Sequence, residues 1–188
     1  MVYMEGNNAI RLDVGCGETK TPGFIGIDKR KMPGVDIVLN LDNEHLPFDD
    51  STVDEIYTSH SLEHLSDFEE VMLEFSRVLK PHGKLTVIVP FYSSPVAFEP
   101  THKLFFNPFS LNFFTEDRST FKYNKPYFRF VKEPELRFNF FKDWRDALLK
   151  PFEFFANHFM KIYLILAFAV PAHEIKFELV RNNRKYLG

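Results

Sequence analysis

The segment LDVGCGETK, residues 12–20, constrains the fold of this chain more than any other. An apolar run leads directly into Gly15, Cys16 and Gly17, where paired glycines let the backbone turn sharply and approach a ligand without hindrance from a Cβ atom. A turn at the carboxyl end of a strand is where open α/β sheets bind ligands. We therefore predict that residues 10–14 form a strand with a binding site at its end.

The glycine loop does not fit the common phosphate-binding patterns. A dinucleotide-binding fingerprint requires a third glycine where Lys20 stands, and a P-loop requires Gly-Lys followed by Ser or Thr. Asp13 closes the strand just before the glycines, where it would repel a pyrophosphate but would attract the charged amine of an amino acid. The loop is therefore predicted to face an amine.

Two further acidic residues follow the next two predicted strands. Asp28 closes the second strand in FIGID, where a carboxylate can accept both hydroxyl protons of a ribose. Asp42 follows the third strand in LNLDNEHLPF, where it can accept a hydrogen bond from an adenine amino group. Asn43 and Leu46 belong to the same segment, and Leu46 contributes to an apolar wall for the ring. An amine pocket, a ribose acceptor and an adenine pocket thus occur in chain order.

These motifs resemble the class I, Rossmann-like S-adenosylmethionine-dependent methyltransferases, in particular the small type 11 group. The resemblance covers roughly residues 9–90, through LDVGCG, GID, LPF, SLEHL and RVLKPHGKL in that order. It implies that the chain is a methyltransferase with S-adenosyl-L-methionine as cofactor. The residues that it assigns to the cofactor are Asp13, Gly15, Cys16, Gly17, Asp28, Asp42, Asn43, Leu46 and Ser59.

The segment after the fourth predicted strand faces the substrate in that family. His60, in this segment, and His102, in the next loop, are the candidate catalytic bases for a hydroxyl or a protonated nitrogen as acceptor. His102 and Tyr92 are expected on the substrate side, and Tyr92 either orients the substrate or packs beneath a lid. Glu63 and His64 are interpreted as residues that shape the loop by local hydrogen bonds. No metal site is predicted.

The predicted fold is a single α/β domain over residues 1–188, with a mostly parallel central sheet of about seven strands and helices on both faces. Residues 1–90 form the cofactor-binding core, residues 91–126 an aromatic-rich lid, and residues 127–188 late strands and an apolar helix. Ser66 and Glu69 predict the capped start of the clearest helix. For the late strands we predict residues 127–132 and 174–180, with residues 135–140 as an alternative to the first.

Charge and phenylalanine are distributed unevenly along the chain. Residues 1–102 carry a net formal charge of −9 and residues 103–188 one of +6, and 17 of the 23 phenylalanines lie in the second part. The favoured acceptor is therefore a small or hydrophobic molecule. The alternative is a non-catalytic module on the same fold that engages a partner or a membrane surface through this basic, Phe-rich half. Nucleic acid is disfavoured because no Asn-Pro-Pro-Tyr type of tetrapeptide follows the fourth strand.

The most apolar segment, residues 152–170, is predicted to be helical. Its longest uncharged run, residues 162–172, is far shorter than the roughly 20 residues that a membrane-spanning helix needs, so we predict no transmembrane segment. Packing in the core, a homo-oligomer contact and peripheral membrane contact remain open for this helix. With one cysteine and no signal-like start, the protein is expected to be cytoplasmic.

Overall fold

The structure is a computed structural model that describes residues 9–115, 125–138 and 144–183. The strands and helices, in chain order, are β1 (Arg11–Val14), β2 (Ile25–Asp28), β3 (Ile37–Val38), β4 (Val53–Ser59), α1 (Phe68–Val78), β5 (Leu79–Pro90), β6 (Phe128–Phe130), β7 (Glu135–Arg137), α2 (Trp144–His158), α3 (Met160–Leu166) and β8 (Glu174–Arg181). The strands form one eight-stranded sheet in the order β3-β2-β1-β4-β5-β8-β6, and β7 also pairs with β8.

The sheet is parallel in its first five strands and antiparallel around β8. Parallel pairing joins β1 to β2 and β4, β2 to β3, and β4 to β5, whereas β8 runs antiparallel to β5, β6 and β7. The predicted α/β fold with a mostly parallel central sheet is confirmed. Because parallel strands end at the same edge of a sheet, the loops that follow β1 to β5 meet there.

The two faces of the sheet differ in polarity because side chains alternate along each strand. Leu12 and Ile56 are paired neighbours on one face, and they are fully buried together with Phe177 of β8. Glu55 and Lys176 lie on the opposite face and are only partly buried. The main core therefore lies on the first face, and a continuous apolar cluster extends it to α1, α2 and α3.

Helix α1 begins one residue later than its predicted cap. Asp67 is the N-cap, and its carboxylate accepts a hydrogen bond from the Glu70 N–H at 3.1 Å. The prediction that Ser66 caps this helix is wrong, because the Ser66 hydroxyl instead accepts from Lys103 Nζ at 2.7 Å and donates to the Asp42 carboxylate at 3.4 Å. A short polar side chain serves either role, and tertiary packing selected the second residue as cap.

Both candidate segments for the first late strand form strands, as β6 and β7, and the predicted last strand corresponds to β8. The predicted apolar helix is divided at Phe159 into α2 and α3. Within the described residues, none of the helices has the length and hydropathy needed to cross a membrane. Residues 116–124 of the predicted lid lie outside the described residues, and the division of the chain into core, lid and late part stays a prediction.

Candidate functional site

A cavity of about 350 Å³ opens at the edge of the sheet where the parallel strands end. It is bordered by the residues that follow β1, β2 and β3 and by the loop after β4. Its lining residues are Val14, Gly15, Ile27, Asp28, Lys29, Arg30, Leu39, Asn40, Leu41, Asp42, Ser61, His64, Leu65, Glu99 and Thr101. Three of the residues predicted to bind the cofactor, Gly15, Asp28 and Asp42, are in this lining.

Gly15 is the residue of the glycine loop that lines the cavity. Its φ of +74° is in the left-handed region, and its N–H donates to the Ile27 carbonyl at 2.7 Å. A Cβ atom at this position would overlap the side chain of Ser61. Glycine is therefore required by both the backbone conformation and the close approach of the loop after β4.

Asp28 lies at the end of β2 and faces the cavity. Its two carboxylate oxygens accept hydrogen bonds from the Gly17 N–H at 3.1 Å and the Arg30 N–H at 2.9 Å. Each oxygen of a carboxylate can accept two hydrogen bonds, so each retains capacity for a further donor. The free acceptor positions fit the two hydroxyl groups of a ribose.

Asp42 lines the same cavity as Gly15, together with the apolar residues Leu39 and Leu41. Its carboxylate accepts from the Ser66 N–H and retains acceptor capacity, as an adenine amino group requires. The two other residues predicted for this pocket do not line the cavity. Asn43 borders a separate neighbouring cavity. Leu46 is buried in the core, where its N–H donates to Glu74.

Three predicted residues of the glycine loop hold the loop in place and do not line the cavity. The Asp13 carboxylate is buried and accepts from the Thr21 N–H at 2.7 Å, which explains how the short connection to β2 is closed without a helix. The Gly17 N–H is directed to Asp28. The Cys16 thiol has a raised pKa because of burial and the nearby carboxylates of Asp13 and Asp28, so it is a poor nucleophile.

His60 has left-handed backbone geometry (φ +51°) at the end of β4. Its Nε2 lies 3.0 Å from the Glu174 carboxylate and its Nδ1 lies 3.6 Å from that of Glu63. These two acids raise the pKa of His60 to about 9. The imidazole is therefore protonated near neutral pH, which argues against the predicted role as a base. Neither His60 nor Ser59 lines the cavity.

His102 and Tyr92, the predicted substrate-side residues, occupy different places. His102 is 3% exposed, and its Nε2 lies 3.9 Å from the Glu63 carboxylate, behind the cavity wall formed by Glu99 and Thr101. Tyr92 packs its ring against Phe91 and Phe168, with ring centroids 4.7 and 5.4 Å away. Packing beneath the C-terminal part of the chain is thus the role that the structure supports for Tyr92.

Several lining residues were not predicted from the sequence. Ser61 belongs to the segment after β4 that the family resemblance implies for the methionine side, whereas His64, from the same SLEHL motif, is predicted only to shape the loop. Glu99 and Thr101 come from the predicted lid, where no motif singles them out. They reach the site because the N–H groups of Lys103 and Leu104 donate to the Glu63 carbonyl.

Residues 20–87 match the family model described as a methyltransferase domain, type 11. Over these residues the chain is similar to the class I methyltransferase domains of the type 11 group. The match begins just after the glycine loop and ends in β5, so it includes Asp28 and Asp42. It supports the predicted cofactor, S-adenosylmethionine, for this domain.

Curated relatives of the methyltransferase domain include two C-methyltransferases. The ubiquinone/menaquinone biosynthesis C-methyltransferase of Haemophilus ducreyi is 32% identical over 105 residues, which cover 56% of this chain and 36% of that protein. The sterol 4-C-methyltransferase of Caenorhabditis elegans is 32% identical over 98 residues, covering 40% of this chain and 29% of that protein. The matched part is therefore about a third of each relative.

Solved structures support the fold over a larger part of the chain. A SAM-dependent methyltransferase from Archaeoglobus fulgidus superposes with a TM-score of 0.57 at 18% identity, covering 93% of this chain and 87% of that one. The predicted fold family is thus confirmed beyond the segment matched by the family model.

Proposed function

We propose that this chain is an S-adenosylmethionine-dependent methyltransferase that acts on a small, largely apolar acceptor. The observation that carries the proposal is that Gly15, Asp28 and Asp42, from the ends of three successive strands, border one cavity. The family match and the C-methyltransferase relatives support the same reaction.

When bound, S-adenosylmethionine supplies an electrophilic methyl group. The residues of the chain would bind the cofactor and orient it toward the acceptor. Asp28 would accept from the ribose hydroxyls, Asp42 would accept from the adenine amino group, and Leu39 and Leu41 would contact the ring. Gly15 and Ser61 border the same cavity and leave space for the methionine part. Much of the acceleration then comes from positioning, because methyl transfer requires the acceptor atom directly behind the methyl carbon.

An apolar acceptor is supported by exposed hydrophobic side chains around α3. Ile165 is 83% exposed and Phe168 is 69% exposed, while Lys161 adds positive charge to the same short segment. Tyr92 connects this surface to the end of β5 through its contact with Phe168. We propose that this surface contacts anionic lipid, from which the enzyme takes its acceptor. A non-catalytic module is the less favoured reading, because it leaves the cavity and its carboxylates without a role.

The test is calorimetric titration with S-adenosylmethionine and its demethylated product. We expect wild-type protein to bind both, Asp28→Ala to lose binding, and Asp50→Ala to retain it, because Asp50 is an exposed carboxylate that pairs with Arg77 away from the cavity. An absence of binding to wild-type protein, or equal binding by Asp28→Ala, would overturn the proposal.

A further inference from the structure

Beside the cavity, Glu63 is a buried acid whose carboxylate has no hydrogen-bond partner among the described residues. Its side chain is 1% exposed, and both oxygens lack a donor within hydrogen-bonding distance. An ionised carboxylate in such a place is costly unless a cation or several donors compensate it. The Glu63 backbone carbonyl accepts from the N–H groups of Lys103 and Leu104, which are distant in sequence and not the local partners predicted for this residue.

Three histidines face this acid. The protonated His60 places Nδ1 3.6 Å from Glu63 Oε1, where it supplies positive charge but lies beyond hydrogen-bonding distance, so the carboxylate still lacks a bonded partner. The other two are His64 and His102. His102 Nε2 lies 3.9 Å from Glu63 Oε1, and the rings of His64 and His102 have centroids 4.8 Å apart. One potential ligand atom from each of the three residues lies within 4.8 Å of those from the other two. Ligands of a tetrahedral Zn²⁺, each about 2.1 Å from the ion, lie roughly 3.4 Å apart. A contraction of at most about 1.4 Å, within the reach of side-chain rotation, gives that spacing.

The second nitrogen of each histidine has a backbone partner. His64 Nδ1 lies 3.1 Å from the Thr101 carbonyl, and His102 Nδ1 lies 3.3 Å from the Ala97 carbonyl. Because a carbonyl only accepts hydrogen bonds, both Nδ1 atoms carry the hydrogen. A neutral imidazole then has its lone pair on Nε2, the tautomer that metal-binding histidines adopt when a carbonyl fixes the other nitrogen.

We propose that Glu63, His64 and His102 form a binding site for a divalent transition-metal ion at the wall of the cofactor cavity. Two imidazoles and one carboxylate suit ions such as Zn²⁺, Co²⁺ or Fe²⁺, whereas Mg²⁺ and Ca²⁺ prefer oxygen ligands alone. Three protein ligands leave at least one coordination position open for another group. This assignment replaces the expectation from the sequence that the chain has no metal site.

The three proposed ligands lie at the wall of the cavity that the proposed reaction uses. His64 lines the cofactor cavity, as does Glu99, whose carboxylate lies 3.7 Å from His102 Nε2. An acceptor with a hydroxyl or amino group could coordinate the ion, which stabilises the deprotonated form while the proton leaves to solvent. This role in activation rests on the proposed methyl transfer, whereas metal binding by the three residues does not.

The test is titration of metal-free full-length protein with Co²⁺, followed by visible absorption, with Zn²⁺ as competitor. We expect about one ion per chain with the intense bands of low-coordinate Co²⁺, displaced by Zn²⁺. Glu63→Gln, His64→Ala and His102→Ala should each weaken binding by about 100-fold. His158→Ala, which removes an exposed histidine of α2, is the matched control and should bind as wild type does.

X-ray absorption of the zinc-loaded wild-type protein keeps the proposal testable if a variant fails to fold. Two imidazole ligands are expected in the spectrum. The proposed metal site is overturned if wild-type protein does not bind Co²⁺. It is also overturned if folded His64→Ala and His102→Ala bind Co²⁺ as wild type does. Asp28→Ala should keep Co²⁺ binding while it loses S-adenosylmethionine, so that failure of the metal site and failure of the proposed reaction are distinguishable.

Discussion

Gly15 and Ser61 approach so closely that a methyl group on Gly15 would overlap the Ser61 side chain. This contact joins the loop after β1 to the loop after β4 at the wall of the cavity. Gly17 shares the left-handed backbone conformation, with φ +60°, but nothing lies within 4 Å of the Cβ position there. A substitution at Gly17 therefore introduces backbone strain alone, whereas the same substitution at Gly15 introduces backbone strain and steric overlap.

We expect Gly17→Ala to lower the free energy of unfolding by about 1–2 kcal/mol, from backbone strain alone. Gly15→Ala should cost about 3 kcal/mol, because overpacking against Ser61 adds to the strain. Urea unfolding measures both values. Only Gly15→Ala is also expected to weaken S-adenosylmethionine binding strongly. Equal losses of stability in the two variants would show that the contact with Ser61 is relieved without cost.

Arg77 pairs with two acids that differ in burial, which gives a second matched comparison. Glu74 is 8% exposed and accepts from Arg77 and from the Leu46 N–H, whereas Asp50 is 61% exposed. We expect Glu74→Gln to lower the free energy of unfolding by about 3 kcal/mol, because it leaves a poorly compensated charge. Asp50→Asn should cost less than about 1 kcal/mol. Urea unfolding near neutral pH tests this, and similar costs for the two variants would contradict it.

The ion pair between Glu74 and Arg77 predicts that the stability of the protein depends on pH. Burial alone would raise the pKa of Glu74, but hydrogen bonds and charge from Arg77 outweigh it and lower the pKa below its ordinary value of 4.5. The contribution of Glu74 is therefore complete above that ordinary value and is lost as the pH falls through the lower, folded-state pKa. In unfolding measured from neutral to acidic pH, Glu74→Gln should lose less stability than wild type does. Parallel curves would contradict this prediction.

Cys16 provides a chemical probe of the glycine loop. Burial and the carboxylates of Asp13 and Asp28 raise the pKa of its thiol, so we expect slow alkylation of the native protein. Asp28→Asn should move the midpoint of the rate–pH profile downward, whereas Asp50→Asn should not. The midpoint is the decisive quantity, because a merely loosened loop would raise the rate without moving it.

The proposed lipid contact of α3 is tested by vesicle flotation. Wild-type protein should float with anionic vesicles and dissociate at high salt, whereas the double variant Ile162→Ser/Ile165→Ser should remain in solution. Phe105→Ser removes an equally exposed apolar side chain outside α3 and is expected to float. Wild-type protein that does not float contradicts the contact. If wild-type protein is a dimer and the double variant is a monomer, this surface would instead be assigned to contact with a second copy of the chain.

The amino-acid sequence by itself determined the parallel core and the placement of Gly15, Asp28 and Asp42 around one cavity. These features depend on the order of residues within short segments, in which an apolar strand is followed by the turn or the acid that closes it. The parallel strands then bring these segments together because they end at a common edge. The same local reasoning could not identify the cap of α1, because Ser66 and Asp67 are both suitable N-cap residues and the Ser66 hydroxyl is engaged by Lys103 and Asp42 only in the tertiary structure.

Only the tertiary structure decided what surrounds the ionisable groups. Asp13 closes a loop through Thr21, and His60 is held in its charged form by Glu174, a partner from the last strand. Glu63 and His102 meet because the backbone of the loop after β5 is bound to the Glu63 carbonyl. The protonation and ligand-binding capacity of a side chain depend on partners within a few ångströms, and here those partners come from distant parts of the chain.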